Sequence, residues 1–327
     1  MAGCPYLMSS TIFAHRRDVD GLMSAAIFLR AEPSSGVFFV DYGESNMGEF
    51  LTRFSEAARS SRRIVIADFG LDDFYLERVK KALMEAVSLG VEVYWLDHHN
   101  WSERALKEVG ATGTHLVKAG DRDACGAELV HRVFGTSDPY SHLLAQSAHR
   151  TDYHLELNCV DRVLVDVVDY YNTLSPADCN AEMVSLARRV GEGILVDGKV
   201  YGDYLKYSEL ESEAVRSLLA NIHLFEVGGF RVAVGFTRDP LSATKTCDII
   251  RERVESDIQV SVKNRKVSFR RSNPSVDCSA LARLFKGGGH DYAASGELDF
   301  EVVDARTMSR ALDVIKERLG LALKTKG

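Results

Sequence analysis

Short apolar runs that each stop on a histidine or an acid constrain this chain more than any other feature. Thr11-Ile-Phe-Ala-His15, Ile64-Val-Ile-Ala-Asp68 and Val91-Glu-Val-Tyr-Trp-Leu-Asp97 have this form, and Asp18 and Asp20 follow the first run closely. Further strand-like runs lie at Val37–Tyr42 and Thr114–Lys118, and amphipathic stretches near Gly21–Arg30, Met47–Ser60, Asp72–Leu89 and Ser102–Val109 separate the runs. Strands buried on both faces read as continuous apolar segments, and their alternation with helical periodicity predicts a parallel sheet with helices on both faces. Such open sheets bind ligands beyond the carboxyl ends of their strands, so the terminal polar side chains should converge on one crevice.

Beyond Ala124 the pattern turns mostly helical, and Asp203–Ala220 reads as one long helix. His223–Glu226 and Phe230–Phe236 then read as strands around Gly228-Gly229, and Leu241–Glu252 as a helix. Ile258–Val262 with Lys266–Arg271 reads as a hairpin, and Asp277–Phe285 and Arg306–Leu319 as helices. The expected fold class is α/β: a catalytic parallel-sheet domain over 1–195, a connector helix over 196–221 and a smaller mixed α/β domain over 222–327.

At 327 residues with net charge −7, the chain does not grip duplex DNA by charge alone. Residues 222–327 hold 18 Lys and Arg against 14 Asp and Glu, a net of +4 that leaves −11 for residues 1–221. An acidic front and a mildly basic back suit a cation site and a polyanion cradle, and chance asymmetry would look the same. The six cysteines form no C-x-x-C pair, which argues against thiolate zinc and for a reducing compartment. The N-terminus has no signal-peptide pattern and no run is long enough to span a bilayer, so the expected location is cytoplasmic, with no membrane partner.

Two-cation phosphoryl chemistry needs carboxylates that flank or bridge the ions, a few neutral imidazoles, and positions left open for water and phosphate. His15-x-x-Asp18-x-Asp20-Gly, Asp68, Asp97-His98-His99 and His149-Arg-Thr-Asp152 offer such a set. Oxygen and imidazole donors without thiolate suit Mn2+ or Mg2+. Taken singly, an Asp-x-Asp-Gly is usually a turn and a strand-end Asp a helix cap, as Asp72 or Asp73 would be. Three acid or histidine clusters at three strand ends are harder to explain as unrelated caps.

At these residues the chain resembles the DHH phosphoesterase superfamily, whose Asp-His-His triplet stands here as Asp97-His98-His99. Asp18-x-Asp20-Gly, Asp68 and Asp152 follow the family's order. Arg271-Ser272, Gly287-Gly-Gly-His290 and Ala293-Ala-Ser-Gly296 resemble its GGGH-type associated domain, as in the nanoRNase and RecJ-like branch. The resemblance implies two metal ions, Mn2+ with Mg2+ or Co2+ as substitutes. Asp18 would hold one, and Asp20, His98 and Asp152 the other, with Asp68 bridging both. It also implies that His99 faces the scissile phosphate, Asp97 orients its neighbours, and a water activated by the two metals attacks phosphorus. Relatives with a leading histidine place it four residues before the first Asp. Here His15 stands three before Asp18, so its role as a ligand stays open.

In the second domain, Arg271 or Arg270, with Ser272, Gly288, Gly289 and His290, would hold a substrate phosphate or sugar edge. The implied activity is a metal-dependent phosphodiesterase or exonuclease acting on short single-stranded RNA or DNA. Alternatives are a phosphatase of small nucleotides (3′-phosphoadenosine 5′-phosphate, or cyclic or linear dinucleotides), a RecJ-like single-strand DNA exonuclease, and a replication-associated scaffold. A homodimer and a subunit of a larger nucleic-acid assembly are both compatible with the sequence.

Overall fold

The computed structural model describes residues 10–120, 123–135 and 137–323, so Cys4 and Met1–Ser9 lie outside the described residues. The chain forms two compact units, Met1–Lys206 and Tyr207–Gly327. The division at 195 and 221 expected from the sequence stays a proposal; the unit boundary falls inside one helix, Gly198–Leu219.

The first unit begins β1 (Thr11–His15), α1 (Val19–Ala31), β2 (Gly36–Val40), α2 (Glu44–Ala58), β3 (Arg63–Ala67), α3 (Leu76–Ser88), β4 (Glu92–Asp97), α4 (Glu103–Gly110) and β5 (His115–Lys118). The five strands form one parallel sheet in the order β2-β1-β3-β4-β5. Side chains alternate across it with period two. Ile12, Ala14, Val65 and Ala67 face one core, and Phe13, Ile64, Ile66 and Trp95 the other. The second core is closed by α2, α3 and α4. The first is closed by α1 and by α5 (Gly126–Val130), α6 (Pro139–Asp152), α7 (Cys159–Tyr171) and α8 (Pro176–Gly191), with α9 (Gly198–Leu219) following. Every residue of α1 from Val19 to Leu29 is buried, which explains why its sequence is apolar almost all round.

In this strand order the chain reverses direction across the sheet between β1 and β3, and a crevice opens where their outgoing loops diverge. The acids after β1 and β3 therefore stand on the two sides of one opening.

The second unit has a sheet ordered β6-β7-β8-β10-β9, with β6 at Ile222–Val227, β7 at Phe230–Phe236, β8 at Ile258–Arg271, β9 at Gly288–Gly289 and β10 at Ala293–Val302. Its helices are α10 (Ala243–Arg253), α11 (Cys278–Arg283) and α12 (Ala305–Leu323). The expected hairpin over 258–271 is instead one long strand. Its first half pairs parallel with β7 and its second half antiparallel with β10. Asn264, at φ +53, deflects the strand without reversing it. Polar residues at 263–266 mimic a turn, but they mark the exposed middle of a strand that changes partners. Among the described residues, no helix is long and apolar enough to cross a membrane.

Candidate metal centre

Asp18 caps α1, its Oδ1 accepting from the Gly21 backbone N–H at 3.1 Å. Its Oδ2 lies 3.0 Å from His15 Nδ1. The short loop between β1 and α1 is possible because residue 21 is glycine: a Cβ there would meet the His15 carbonyl oxygen at 1.9 Å. Gly21 thus serves close packing of helix on strand end, inside α1, rather than the turn itself.

Asp20, buried within the first turn of α1, sends both carboxylate oxygens to the start of α5. Oδ2 accepts from Gly126 N and Oδ1 from Ala127 N, each at 2.7 Å. Asp68 follows β3 at φ +55, a left-handed conformation that costs most side chains energy but that Asp and Asn tolerate. Asp68 packs against Gly126, where a Cβ would come 2.5 Å from the Asp68 Cβ.

The two oxygens of Asp68 look in different directions. Oδ1 lies 3.2 Å from His98 Nε2, which is also 3.8 Å from Asp20 Oδ2 and 3.8 Å from Asp152 Oδ2. Oδ2 lies 3.7 Å from His15 Nδ1, the nitrogen that faces Asp18. Among the described residues, three sets of side chains could hold a cation, each set's donor atoms lying within 4.8 Å of one another: His15, Asp18 and Asp68; Asp20, His98 and Asp152; and Asp68, His98 and His99. The first two sets share no residue; Asp68 belongs to the first, and its Oδ1 approaches His98 of the second.

These carboxylates are poorly compensated by the protein alone. Burial, then Asp18, pushes the Asp68 carboxyl up to about 7. Burial, followed by Asp68, Asp18 and Asp152, raises Asp20, and burial also raises Asp152. Burial disfavours charge on His15, yet the neighbouring Asp18 carboxylate lifts it well above the usual histidine range. Among the described residues, Asp68 Oδ2, Asp152 Oδ2 and His15 Nε2 are buried and find no hydrogen-bond partner. Unsatisfied acceptors among like charges are what a bound divalent cation would neutralise, so the residues fit a two-cation centre.

Asp97 is fully buried and accepts three donors: His99 Nδ1 at 2.7 Å, Trp101 Nε1 at 2.7 Å and Lys118 Nζ at 3.0 Å. Burial alone would raise its pKa, but the His99 hydrogen bond, followed by Lys118, holds it well below the usual carboxylate range. Tyr42, 41% exposed, stacks on Phe69 and stands beside His15 and His99, its hydroxyl accepting from Gly70 N at 3.0 Å. His149 binds Glu128 at 2.9 Å, and Glu128 caps the Cys125 N–H at 2.9 Å, bracing the turn that holds Asp20. Lys118, Trp101, Tyr42 and the Gly126-Ala127 amides were not singled out from the sequence. A Cys125-x-x-Glu128 capping pattern ahead of a helix was the available signal for the last pair.

In the second unit, Arg271 donates to the Pro274 and Val276 carbonyls and to Asp291 Oδ2, tying together the loop before α11 and the tip before β10. Arg270 lies on the other face of β8 and donates to Thr244 Oγ1 at 2.9 Å. The Ser272 hydroxyl accepts from Gln259. Gly288 and Gly289 form an edge strand paired with β10. A Cβ on Gly287 would meet the Ser295 carbonyl oxygen at 2.0 Å, so that glycine is required by packing. His290 closes the β9–β10 hairpin and stacks on Tyr292.

No protein-family model matches the sequence, and no curated protein matches it. Solved structures do. The manganese-bound exonuclease RecJ is similar over 96% of this chain and 90% of its own, at 16% identity and TM-score 0.54. A pGpG-specific phosphodiesterase from Vibrio matches 95% of this chain and 98% of its own, at 13% identity and TM-score 0.54. An exopolyphosphatase-related protein from Bacteroides fragilis matches 98% and 94%, at 14% identity and TM-score 0.50. At these identities the likeness shows that this chain shares the fold of these three proteins.

Proposed function

We propose that the chain is a divalent-cation-dependent phosphodiesterase that hydrolyses short single-stranded oligonucleotides in the nanoRNase manner, linear dinucleotides included. The observation that carries this reading is the placing of Asp68 in one donor set with His15 and Asp18, while its other oxygen lies 3.2 Å from His98, which forms a second set with Asp20 and Asp152. Fold neighbours named as a pGpG phosphodiesterase and as a manganese-bound exonuclease support phosphodiester chemistry at that crevice. Two cations, Mn2+ foremost with Mg2+ or Co2+ as substitutes, would polarise phosphoryl oxygens and lower the pKa of the attacking water. With Nδ1 held by Asp97, His99 keeps Nε2 for the substrate phosphate. In the second unit, Arg270, Arg271, Ser272, Gly288, Gly289 and His290 are the residues assigned to a terminal phosphate or sugar edge. Arg270 has more donor capacity to spare than Arg271, whose guanidinium already serves three protein acceptors.

The test is incubation of the full chain with end-labelled RNA and DNA, from dinucleotides to twenty-mers, after EDTA treatment and with Mn2+ or Mg2+ restored. Metal-dependent mononucleotide release that is fastest on the shortest oligomers is expected, and Asp68→Asn should abolish it. Free phosphate released from 3′-phosphoadenosine 5′-phosphate, with oligomers left intact, would favour the small-nucleotide phosphatase. No hydrolysis with any cation would overturn the enzyme reading.

A further inference from the structure

The structure assigns Lys118 as a positioning residue for His99, acting through Asp97; this rests on the phosphodiesterase reading and adds to it a residue outside the recognised motifs. Asp97 ends β4 and Lys118 ends β5, and the two are register partners across the sheet. Lys118 Nζ donates to Asp97 Oδ2 at 3.0 Å and also to the His99 carbonyl oxygen. Its ammonium lies over the Trp101 ring at 5.1 Å, and Trp101 Nε1 donates to the same Asp97 oxygen. One ammonium therefore fastens both the side chain that orients His99 and the backbone that carries it.

The donor inventory then decides the ring's state. Lysine ammonium and indole N–H are donors only, so Asp97 Oδ2 accepts from both, and its Oδ1 is left to accept from His99 Nδ1 at 2.7 Å. That hydrogen bond places a proton on Nδ1 and fixes the ring's orientation. Lys118 has a second effect. The sets able to hold a cation are built from Asp18, Asp20, Asp68 and Asp152 with histidines, and Asp97 belongs to none of them. Three donors engage both oxygens of Asp97 and commit it to orientation.

The experiment compares Lys118→Met and Lys118→Arg in the full chain with cation restored, using a linear dinucleotide as substrate. Outer residues that orient a reactive histidine typically carry about 10- to 100-fold in activity. Lys118→Met should lose about that in kcat, with KM and Mn2+ affinity nearly unchanged, and Lys118→Arg should recover part of it. A second readout needs no activity: in the cation-free protein, 15N-imidazole NMR should show a slowly exchanging His99 Nδ1 proton that Lys118→Met loses. Unchanged kcat and an unchanged His99 signal would overturn the assignment. So would a loss that follows Mn2+ affinity alone, because that marks a merely structural lysine. If the unaltered chain hydrolyses nothing, the function reading fails, while the NMR comparison still decides the role of Lys118.

Discussion

Replacing Asp68 by asparagine should stabilise the cation-free protein and at the same time remove its response to cations. The Asp68 carboxyl is raised from 3.8 to about 7 in the folded chain, burial first and Asp18 second. A raised acid pKa means the native state holds a proton that the unfolded state has released, so stability falls as pH rises between those two values. The interval corresponds to about 4 kcal/mol by pH 7, a large part of the stability of an ordinary domain. Asp20 and Asp152 are shifted upward too and add to the same trend. His15 works in the same direction, since its raised pKa contributes stability at low pH that is lost as pH climbs through the folded value. Asparagine keeps the shape and tolerates φ +55, whereas alanine would add left-handed strain. Urea unfolding of the EDTA-treated chain at pH 5 and pH 8 should therefore show a marked loss at pH 8. Mn2+ should restore more stability at pH 8 than at pH 5, because at pH 5 protons already occupy the site. Asp68→Asn should lessen the pH dependence to what Asp20, Asp152 and His15 contribute and bring Mn2+ stabilisation close to zero. Cation-free stability that is level or rising over this range would refute the electrostatic reasoning. An asparagine variant that still gains stability from Mn2+ would refute the bridging role.

Gly126→Ala forces a Cβ to within 2.5 Å of the Asp68 Cβ and should cost about 1–3 kcal/mol of overpacking. Because the clash lies at the centre, calorimetry should find Mn2+ affinity falling further than stability alone explains. Gly21→Ala meets the His15 carbonyl oxygen at 1.9 Å, a backbone contact that no rotamer relieves, and expression should yield insoluble or unfolded chain. Arg271→Ala removes three internal contacts and should lower the unfolding midpoint, whereas Arg270→Ala should leave it nearly unchanged and raise KM for oligonucleotides. Equal effects of the two substitutions on KM and stability would contradict that division of labour.

The first unit was readable because its signals are local. Apolar strands, amphipathic helices and terminal acids each lie within a few consecutive residues, and the parallel sheet assembles from them with strand boundaries within about two residues. The second unit was harder. Residues 263–266 are polar because the middle of β8 is exposed, and the same composition marks turns. The strand β10 was missed because Ala293-Ala-Ser-Gly296 is small and weakly apolar. Those residues are small because β10 lies close against α11 and β9, where Gly296 would set a Cβ 2.6 Å from Phe285.

The site shows the same division more sharply. Asp18, Asp20, Asp68 and the Asp97–His99 triplet were legible from their places after strands, but what each oxygen binds was not. Asp20 depends on two amides 106 and 107 residues away, and no periodicity in the sequence couples those positions. Asp97 depends on a lysine at the end of the next strand, which alone reads as an ordinary strand-end charge. The lysine becomes visible only once the sheet order is known, because parallel register brings strand ends side by side whatever their separation in sequence, and the amides only once α5 is seen to start against the first turn of α1. The motif thus identifies residues able to carry the chemistry. The topology decides their division of work: both oxygens of Asp97 are engaged by protein donors and committed to orientation, while Asp68, with one oxygen unsatisfied among the described residues, is left to bind from outside.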